Sequence, residues 1–320
     1  MVEVSVCIIT YAHERYIKQA LDSALNQITN FEYEVIVAED KSPDNTREIL
    51  LDYKQKYGDK LVLILQEHNK GPSQNFSDCR MAARGKYIAL LEGDDYWTDR
   101  FKLQKQYDVL ENNPQYSAVS HDYMTISSEG KFIRKNLYLR KNKIYNLRHY
   151  LRNGYTLHTC TLFYRNVFSE TDERYKKLRN CAPTMSDIIT FVLLYDKGDI
   201  YAIKDTMAAH RMASVSDVTS FSFQQGSKAV EYSYMYKTII ENLEEYLNYK
   251  YDLSPLMANR MSSIMLNKIL GNIDYDNRKL MELFNSLSLK TRIMTCYKIV
   301  RRLIIKVIRR IQIKVDNNNE

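Results

Sequence analysis

An apolar run that ends in three acids is the feature that most constrains the fold of this chain. Residues 88–97 are IALLEGDDYW, so a buried strand is followed at once by Glu92, Asp94 and Asp95. In open α/β sheets, ligands bind just beyond the carboxyl ends of the strands. Neighbouring carboxylates repel one another unless a cation joins them, and their oxygens suit Mg²⁺ or Mn²⁺. The run therefore predicts a divalent-metal site that holds a diphosphate, against the alternative of a solvated acidic turn.

Strands and helices alternate along the first 125 residues. Continuous β-branched runs predict buried strands, and apolar residues at helical spacing predict helices between them. Ser42 and Pro43 are typical of an N-cap followed by proline at the first helical position. The strands are predicted at residues 4–10, 33–38, 61–65, 87–91 and 116–121, and the helices at 14–27, 42–56, 72–84 and 99–112. This order predicts an α/β fold with a mostly parallel, doubly wound sheet.

The pattern loosens after about residue 125. Residues 126–155 are predicted to form a loop with short helices, followed by a strand at 159–164, a helix at 186–197 and a short strand at 200–202. From Phe221 onward almost every segment has helical periodicity. We therefore expect three parts: an α/β domain at 1–215, a helical extension at 216–289, and a basic amphipathic helix with a polar tail at 290–320.

The net charge of +7 is concentrated near one end. Nine of the 46 basic residues lie in 290–315, which contains no acid, and the rest of the chain has 37 basic against 39 acidic residues. A surface that tracks nucleic-acid phosphates should itself be basic, so we expect no nucleic-acid partner. The five cysteines are scattered without a C-x-x-C pair, which favours a reducing compartment. Neither a signal peptide nor a transmembrane helix is expected.

Polar residues follow four of the predicted strands. In a parallel sheet these strand ends share one edge, so the four sets should converge on one crevice. A tyrosine there can stack on a base, and an aspartate can accept a hydrogen bond from a base or a ribose. The sets are TYAH at 10–13, EDKSPDNT at 39–46, NKGP at 69–72 and EGDD at 92–95. Because both G-x-x-x-x-G-K-[ST] and G-x-G-x-x-G are missing, we expect a nucleotide pocket without a P-loop.

The chain resembles the family 2 glycosyltransferases, which have the GT-A fold. The matching stretches are VSVCIITYAHERYIKQALDSALNQ, VIVAEDKSPDNT, NKGPSQNFSDCRMAARGKYIALLEGDDYW and, less specifically, SDIITFVLLYDKG, within residues 1–215. Such enzymes transfer a sugar from a nucleotide diphosphate sugar, usually UDP-linked, to an acceptor hydroxyl. The resemblance implies a bacterial enzyme of cell-surface polysaccharide assembly, with residues 1–215 as its nucleotide-sugar-binding and catalytic domain.

The resemblance also implies roles for residues at the strand ends. Thr10 and Tyr11 match the positions that contact the nucleobase, and Asp40 matches the acid that hydrogen-bonds it. The D-x-D position of the family is occupied by Glu92, Gly93 and Asp94, with Asp95 directly after. Asp94 would contact the ribose or the metal, and Asp95 the metal. Glu92 and Glu39 stand where many members have aspartate, which leaves the geometry of metal ligation open.

Three residues further along the chain complete the expected site. Asp187 lies in the S-D-I-I context where the family places its general base, although an acid in a first helical turn also complements the helix dipole. His210 matches a late metal ligand, and Arg211 a residue that meets a phosphate. A structural surface pair is the alternative for these two. His158 is interpreted as lining the acceptor cleft or as structural.

The last 30 residues suggest a membrane surface as a partner. One helical face carries only apolar residues and the opposite face basic ones; the apolar residues are Ile293, Tyr297, Val300, Ile304, Val307, Ile308, Ile311 and Val315. Such a helix suits an anionic lipid surface, whereas the alternative is packing on the catalytic domain. We expect a cytoplasmic protein, peripheral at the inner face of the cell membrane.

The sequence thus predicts an inverting, metal-dependent glycosyltransferase that uses Mn²⁺ or Mg²⁺ and acts on a glycan or a lipid-linked acceptor. Two other function classes stay open. One is a catalytically degenerate nucleotide-sugar-binding or scaffold protein, which Glu92 in place of aspartate favours. The other is a nucleotidyltransferase, although its usual glycine-rich phosphate loop is missing.

Overall fold

The computed structural model describes residues 1–135, 141–154, 157–168, 172–212, 228–271 and 275–317, and their side chains apart from those of Ser186, Val307 and 309–317. The chain divides into two compact units. The first comprises Met1–Tyr150 and Tyr155–Ser214, and the second comprises Leu151–Gly154 and Val215–Glu320. The three-part division at residues 215 and 290 stays a prediction.

The strands of the first unit form one mixed sheet in the order β3-β2-β1-β4-β9-β6-β10-β5, with β7 beside β6 and β8 beside β10. β1 to β4 run parallel, as does the pair of β6 and β10, whereas β9 is antiparallel to β4 and to β6. The strands are β1 (Val4–Thr10), β2 (Tyr33–Glu39), β3 (Leu61–Leu65), β4 (Tyr87–Glu92), β5 (Tyr96–Trp97), β6 (Tyr116–Ile126), β7 (Phe132–Lys135), β8 (Lys143–Tyr145), β9 (Phe163–Arg165) and β10 (Asp199–Arg211).

The helices lie between the strands in the first unit and make up the second unit. They are α1 (Ile17–Leu25), α2 (Thr46–Tyr57), α3 (Pro72–Met81), α4 (Lys102–Asn112), α5 (Leu147–Asn153), α6 (Glu173–Asn180), α7 (Ser186–Lys197), α8 (Ala229–Tyr246), α9 (Ser254–Ile269), α10 (Asn277–Asn285) and α11 (Leu289–Asn317). Within the ranges described, none of the helices has the length and the apolar character needed to cross a membrane.

The core forms because β1, β2 and β4 are covered on both faces. Six of the seven side chains of β1 are buried, which explains its continuous apolar sequence. Helix α1 contributes apolar residues spaced three or four apart, namely Ile17, Ala20, Leu21, Ala24 and Leu25. The predicted mostly parallel α/β sheet, followed by a helical C-terminal part, is therefore confirmed. Of the segment predicted to be helical, residues 221–227, 272–274 and 318–320 lie outside the described part.

The start of α2 was predicted wrongly. The helix begins at Thr46, not near Ser42 and Pro43. The hydroxyl of Ser42 accepts a hydrogen bond from the backbone N–H of Ala12, so it does not cap the helix. Asp44 accepts from the N–H of Thr46 instead, at 3.1 Å.

The predicted strand at residues 159–164 was also partly wrong. Residues Thr159–Thr161 form a 3₁₀ turn, and the strand is confined to Phe163–Arg165. The turn forms because the carbonyl oxygen of His158 accepts from both the N–H and the hydroxyl of Thr161. The short strand predicted at 200–202 is the first part of β10, which continues to Arg211 beside β6.

Candidate active site

The carboxyl ends of β1, β2, β4, β6 and β10 lie at the same edge of the sheet because these strands run parallel. β9 is antiparallel to its neighbours, so its first residues and the preceding turn at Thr159–Thr161 reach the same edge. This topology brings together the residues that follow five strands and precede a sixth. The predicted convergence of the polar ends of β1, β2 and β4 is therefore present, and β3, which is parallel to β2, ends at the same edge.

Gly93 allows the loop after β1 to approach the acid cluster. A Cβ atom on Gly93 would lie 2.6 Å from Thr10 Oγ1 and 2.8 Å from His13 Nδ1. The Thr10 hydroxyl lies 3.2 Å from the same His13 nitrogen, and Thr10 is only 2% exposed. Tyr11, by contrast, is 44% exposed, so its ring is available to a ligand.

The loops after β1 and β2 are fixed to each other by hydrogen bonds. Three consecutive backbone N–H groups of the first loop donate to side chains of the second: Ala12 to Ser42, His13 to Thr46 and Glu14 to Asp44, at 3.0, 2.9 and 3.0 Å. Glu14 in turn accepts from the N–H and the side chain of Asn45. The surroundings of Tyr11 are thereby preorganised.

Asp40 fixes the loop that precedes α3. Its two carboxylate oxygens accept from the backbone N–H groups of Lys70 at 2.7 Å and Gly71 at 2.9 Å. Asp40 is 3% exposed, and burial raises the pKa of its carboxyl above the usual value. Each carboxylate oxygen can accept a second hydrogen bond, so contact with a base remains compatible with this geometry. The role of Asp40 in base binding stays a prediction.

A polar cavity of about 530 Å³ lies beside this loop. Lys70, Ser73 and Gln74 line one part of it, and Arg179 and Asn180 line another. Its size falls within the range of small-molecule sites.

The three acids after β4 differ in their surroundings. Asp95 is 1% exposed and accepts a hydrogen bond from the backbone N–H of Arg211 at 2.7 Å. Both of its oxygens lie 3.2 Å from His210 Nδ1. Glu92 accepts from the hydroxyl of Thr159, but its Oε2 is buried and has no partner among the residues that the structure describes. Asp94 is half-buried.

Burial and like charge control the protonation of this acid cluster. Burial, together with the charge of Asp95, raises the pKa of Glu92 to about 8. Burial also raises the pKa of Asp95. For His210, burial alone would lower the pKa, but the hydrogen bond to Asp95 raises it overall. Near neutral pH, Glu92 therefore keeps its proton when no cation is bound beside it.

His158 and Cys160 complete the cluster, although neither was predicted to bind a metal. Ligand atoms of Glu92, Asp95, His158 and Cys160 lie within 4.8 Å of one another. Burial, and then the charge of His210, lower the pKa of His158 to about 3, so its imidazole is neutral. The H-x-C spacing of these two residues was the available signal, but only the position of β9 beside β4 brings them to the acids.

Arg211 fixes the turn that carries the acids. It is 6% exposed, and its Nε donates to the backbone carbonyl of Asp94 at 2.9 Å. Its other guanidinium nitrogens donate to Gln19 and to the carbonyl oxygens of Ser127 and Ser128. Because most of its donors are used within the protein, contact with a phosphate stays a prediction.

Asp187 is exposed in the first turn of α7, a helix that contacts β6 and β10. The segment before this helix lies near the loop held by Asp40, since the carbonyl oxygen of Pro183 is 3.9 Å from where a Cβ of Gly71 would be. Trp97 is 4% exposed and donates from its ring nitrogen to the carbonyl oxygen of Cys160, so it packs beneath the cluster. The catalytic role of Asp187 stays a prediction.

Comparisons with known proteins agree with this architecture. The chain is 43% identical over 126 residues to the uncharacterized protein Mb1547 of Mycobacterium bovis, covering 39% of this chain but only 36% of that protein's length. It is 26% identical over 215 residues to TuaG of Bacillus subtilis, a putative teichuronic acid biosynthesis glycosyltransferase, covering 67% of this chain and 80% of TuaG.

Among solved structures, TarS residues 1–349 of S. aureus in complex with UDP have the same fold. The TM-score is 0.59 at 16% sequence identity, with 90% of this chain and 76% of the TarS chain covered. This similarity confirms the expected GT-A fold. The family model that describes glycosyl transferase family 2 matches residues 5–172. Because this match extends over more than half of the 320 residues, the chain belongs to the family 2 glycosyltransferases.

Proposed function

We propose that this protein transfers a sugar, with inversion, from a UDP-linked donor to a hydroxyl of a glycan or a lipid-linked acceptor. The observation that carries the proposal is the half-buried Glu92 and the buried Asp95 with His210, at the same sheet edge as the exposed Tyr11. A metal-binding acid cluster next to an aromatic ring is the arrangement that a nucleotide diphosphate needs.

The residues of the acid cluster fit a divalent ion, Mn²⁺ or Mg²⁺. Glu92 Oε2 is buried without a partner among the described residues, and a cation would supply one. Asp95 lies beside it, and the neutral imidazole of His158 offers a nitrogen ligand. We expect Asp94, Asp95 and His210 to hold the ion, as the sequence predicts, with Glu92 and His158 as further ligands. When bound, the ion stabilises charge on the departing diphosphate.

The loops after β1 and β2 are suited to the nucleoside. Tyr11 presents an exposed ring for stacking, and Thr10 and Asp40 lie at its side of the sheet edge. The cavity lined by Lys70 and Arg179 offers cationic groups near this position. The binding of UDP by TarS, which shares the fold, supports uridine as the base.

The chemical step requires a group that accepts a proton. We assign this role to the carboxylate of Asp187, which is exposed at the start of α7. It would take the proton of the acceptor hydroxyl while the acceptor oxygen attacks the anomeric carbon from the face opposite the leaving diphosphate. Such attack inverts the configuration, and a positioned base typically contributes about 10²–10⁴-fold to the rate.

A cell-surface glycan is the acceptor class that the relatives favour. TuaG, which matches two thirds of this chain, is named for teichuronic acid biosynthesis. We therefore propose an acceptor in the assembly of a bacterial surface polysaccharide, at the inner face of the cell membrane.

A panel of UDP-, GDP- and CDP-linked sugars tests the proposal. With Mn²⁺ present, we expect one UDP-sugar to raise the unfolding temperature of the protein more than the others do, and the protein to release UDP from that donor. The variant Asp95→Asn should show neither effect. Asp52→Asn, on the exposed face of α2, is the control that should behave as the wild type. Binding without UDP release by any donor would favour a catalytically degenerate binding protein. A response to none of the sugars would contradict the proposal.

A further inference from the structure

Helix α11 packs on the rest of the second unit through a narrow face. Thr291, Thr295 and Ile299 are 4%, 0% and 8% exposed, and α11 contacts α9. Lys298 anchors the same segment by donating to the carbonyl oxygen of Arg152 at 2.9 Å. Two of the three buried side chains on this face are threonines, so most of the large apolar residues of the helix lie outside it.

Those large apolar residues are exposed on the opposite face. At 100° per residue, the main stripe spans an arc of about 100°, centred about 170° from the packed face. The exposed apolar side chains are Leu289 (65%), Ile293 (61%), Tyr297 (66%), Val300 (56%), Ile304 (53%), Ile305 (38%) and Ile308 (50%). Six of them, all except Ile305, follow one another at intervals of three or four residues, and we call these six the α11 stripe.

The charges around the stripe identify its partner. Residues 290–315 contain nine basic residues and no acid, and Arg301 and Lys306 are exposed within the described part. Two copies of the chain that paired through the stripe would bring two such sets of cations together with no acid between them. A membrane that contains anionic lipid supplies both an apolar interior and the missing negative charge.

We propose that the α11 stripe is a membrane-binding surface that lies in the interface of a bilayer rich in anionic lipid. From residue 289 to residue 308 the helix extends about 30 Å, and it lies parallel to the membrane plane, because only one of its faces is apolar. The apolar side chains enter the acyl boundary, and Arg301, which lies beside the stripe, contacts lipid headgroups. The basic residues on the opposite face add to the attraction of the helix to an anionic surface. This surface does not depend on the proposed transfer reaction.

Co-sedimentation of the full chain with phosphatidylcholine vesicles, with and without about 30% phosphatidylglycerol, tests this surface. We expect binding to the anionic vesicles only, and binding that weakens as salt rises, since salt screens surface charges. The affinity of the triple variant Ile293→Gln, Val300→Gln, Ile304→Gln for these vesicles should be lower by at least ~10-fold. Burying three apolar side chains in the membrane contributes well above the 1.4 kcal/mol that corresponds to a tenfold change in affinity.

The control replaces exposed apolar residues on three other helices: Leu51→Gln, Met81→Gln and Met281→Gln. It should bind vesicles as the wild type does, and circular dichroism should show that both variants keep their helices. Equal binding by the stripe variant, or no vesicle binding by the wild type, would overturn the proposal. A wild-type oligomer in the absence of lipid that the stripe variant converts to a monomer would also overturn it, and would identify the stripe as a protein interface.

Discussion

Gly93 and Thr10 lie so close across the ends of β4 and β1 that a Cβ atom on Gly93 would be 2.6 Å from the Thr10 hydroxyl oxygen. The glycine between the first two acids is therefore required by the packing of the β1 loop. Its backbone N–H also donates to the carbonyl oxygen of Ile9 at 3.0 Å, so the backbone has little freedom to withdraw.

Gly93→Ala should lower the free energy of unfolding by ~1–3 kcal/mol, the usual cost of overpacking, and weaken UDP binding because Thr10 and His13 must move. Urea unfolding and calorimetry measure the two effects. Gly58→Ala is the control: its φ of +54° makes alanine strained, but nothing lies within 4 Å of the new Cβ. It should lose stability without losing UDP affinity. Wild-type UDP affinity in Gly93→Ala would contradict this explanation.

The strands that carry the site were predictable because their burial on both faces requires continuous apolar sequence. β1, β2 and β4 are each followed by polar residues, and parallel pairing alone places those residues together. The order of strands was not predictable. β9 is inserted antiparallel between β4 and β6, and only this placement brings His158 and Cys160 to Glu92.

Predictions from local sequence patterns were wrong where a residue distant in the sequence forms a hydrogen bond with the same side chain. The hydroxyl of Ser42 has the sequence context of an N-cap, but it accepts from Ala12 in the preceding βα loop. In α11, five residues of the predicted apolar face are exposed, namely Ile293, Tyr297, Val300, Ile304 and Ile308. The side chains of its other members, Val307, Ile311 and Val315, lie outside the described part. The packed face was not predictable from hydropathy, because Thr291 and Thr295 are polar residues. The Thr295 hydroxyl can be buried because it donates a hydrogen bond to the carbonyl oxygen of Thr291.

In the metal-free protein, the carboxyl of Glu92 should contribute less to stability as pH rises. The pKa of Glu92 is raised from 4.5 to about 8, so the folded state holds a proton that the unfolded state loses between these values. The contribution of Glu92 to the free energy of unfolding is therefore greatest below about pH 4.5 and has been lost by about pH 8. The raised pKa values of Asp122 and His210 act in the same direction, whereas the lowered pKa values of His121 and His158 make the folded state more stable as pH rises toward 6.5.

Unfolding in urea with EDTA, at about pH 5.5 and about pH 8.5, measures this loss. Compared with the wild type, Glu92→Gln should lose less stability from the lower to the higher pH, because its side chain does not titrate. Mn²⁺ should also reduce the loss of stability in the wild type by compensating the ionised acids. An unchanged difference in Glu92→Gln would show that other groups cause the pH dependence.

Asp95→Asn should abolish the binding of Mn²⁺ while the fold persists. The asparagine oxygen can still accept from the N–H of Arg211, but the negative charge that faces His210 and Glu92 is removed. The electron paramagnetic resonance signal of free Mn²⁺ reports binding directly, because bound Mn²⁺ loses intensity. Equal loss of signal with the variant and the wild type would exclude Asp95 as a ligand.

Asp187→Asn should leave the affinity for the UDP-sugar unchanged and slow transfer by at least ~10²-fold, the effect of a lost general base. Asp196→Asn, near the other end of α7, is the matched control and should transfer at the wild-type rate. Calorimetry gives the affinity, and UDP release gives the rate. If affinity and rate fall together in Asp187→Asn, the residue stabilises the start of α7 and takes no part in the chemistry.

The affinity of the wild-type protein for UDP, measured by isothermal titration calorimetry once with Mn²⁺ and once with EDTA, tests the metal-assisted nucleotide site most directly. Since the acid cluster and Tyr11 lie at one sheet edge, we expect the diphosphate to contact the ion, and affinity to rise by at least ~10-fold with Mn²⁺, a typical coupling between two ligands. Equal affinity in Mn²⁺ and in EDTA, or no UDP binding in either, would contradict the assignment of this edge as the nucleotide-sugar site.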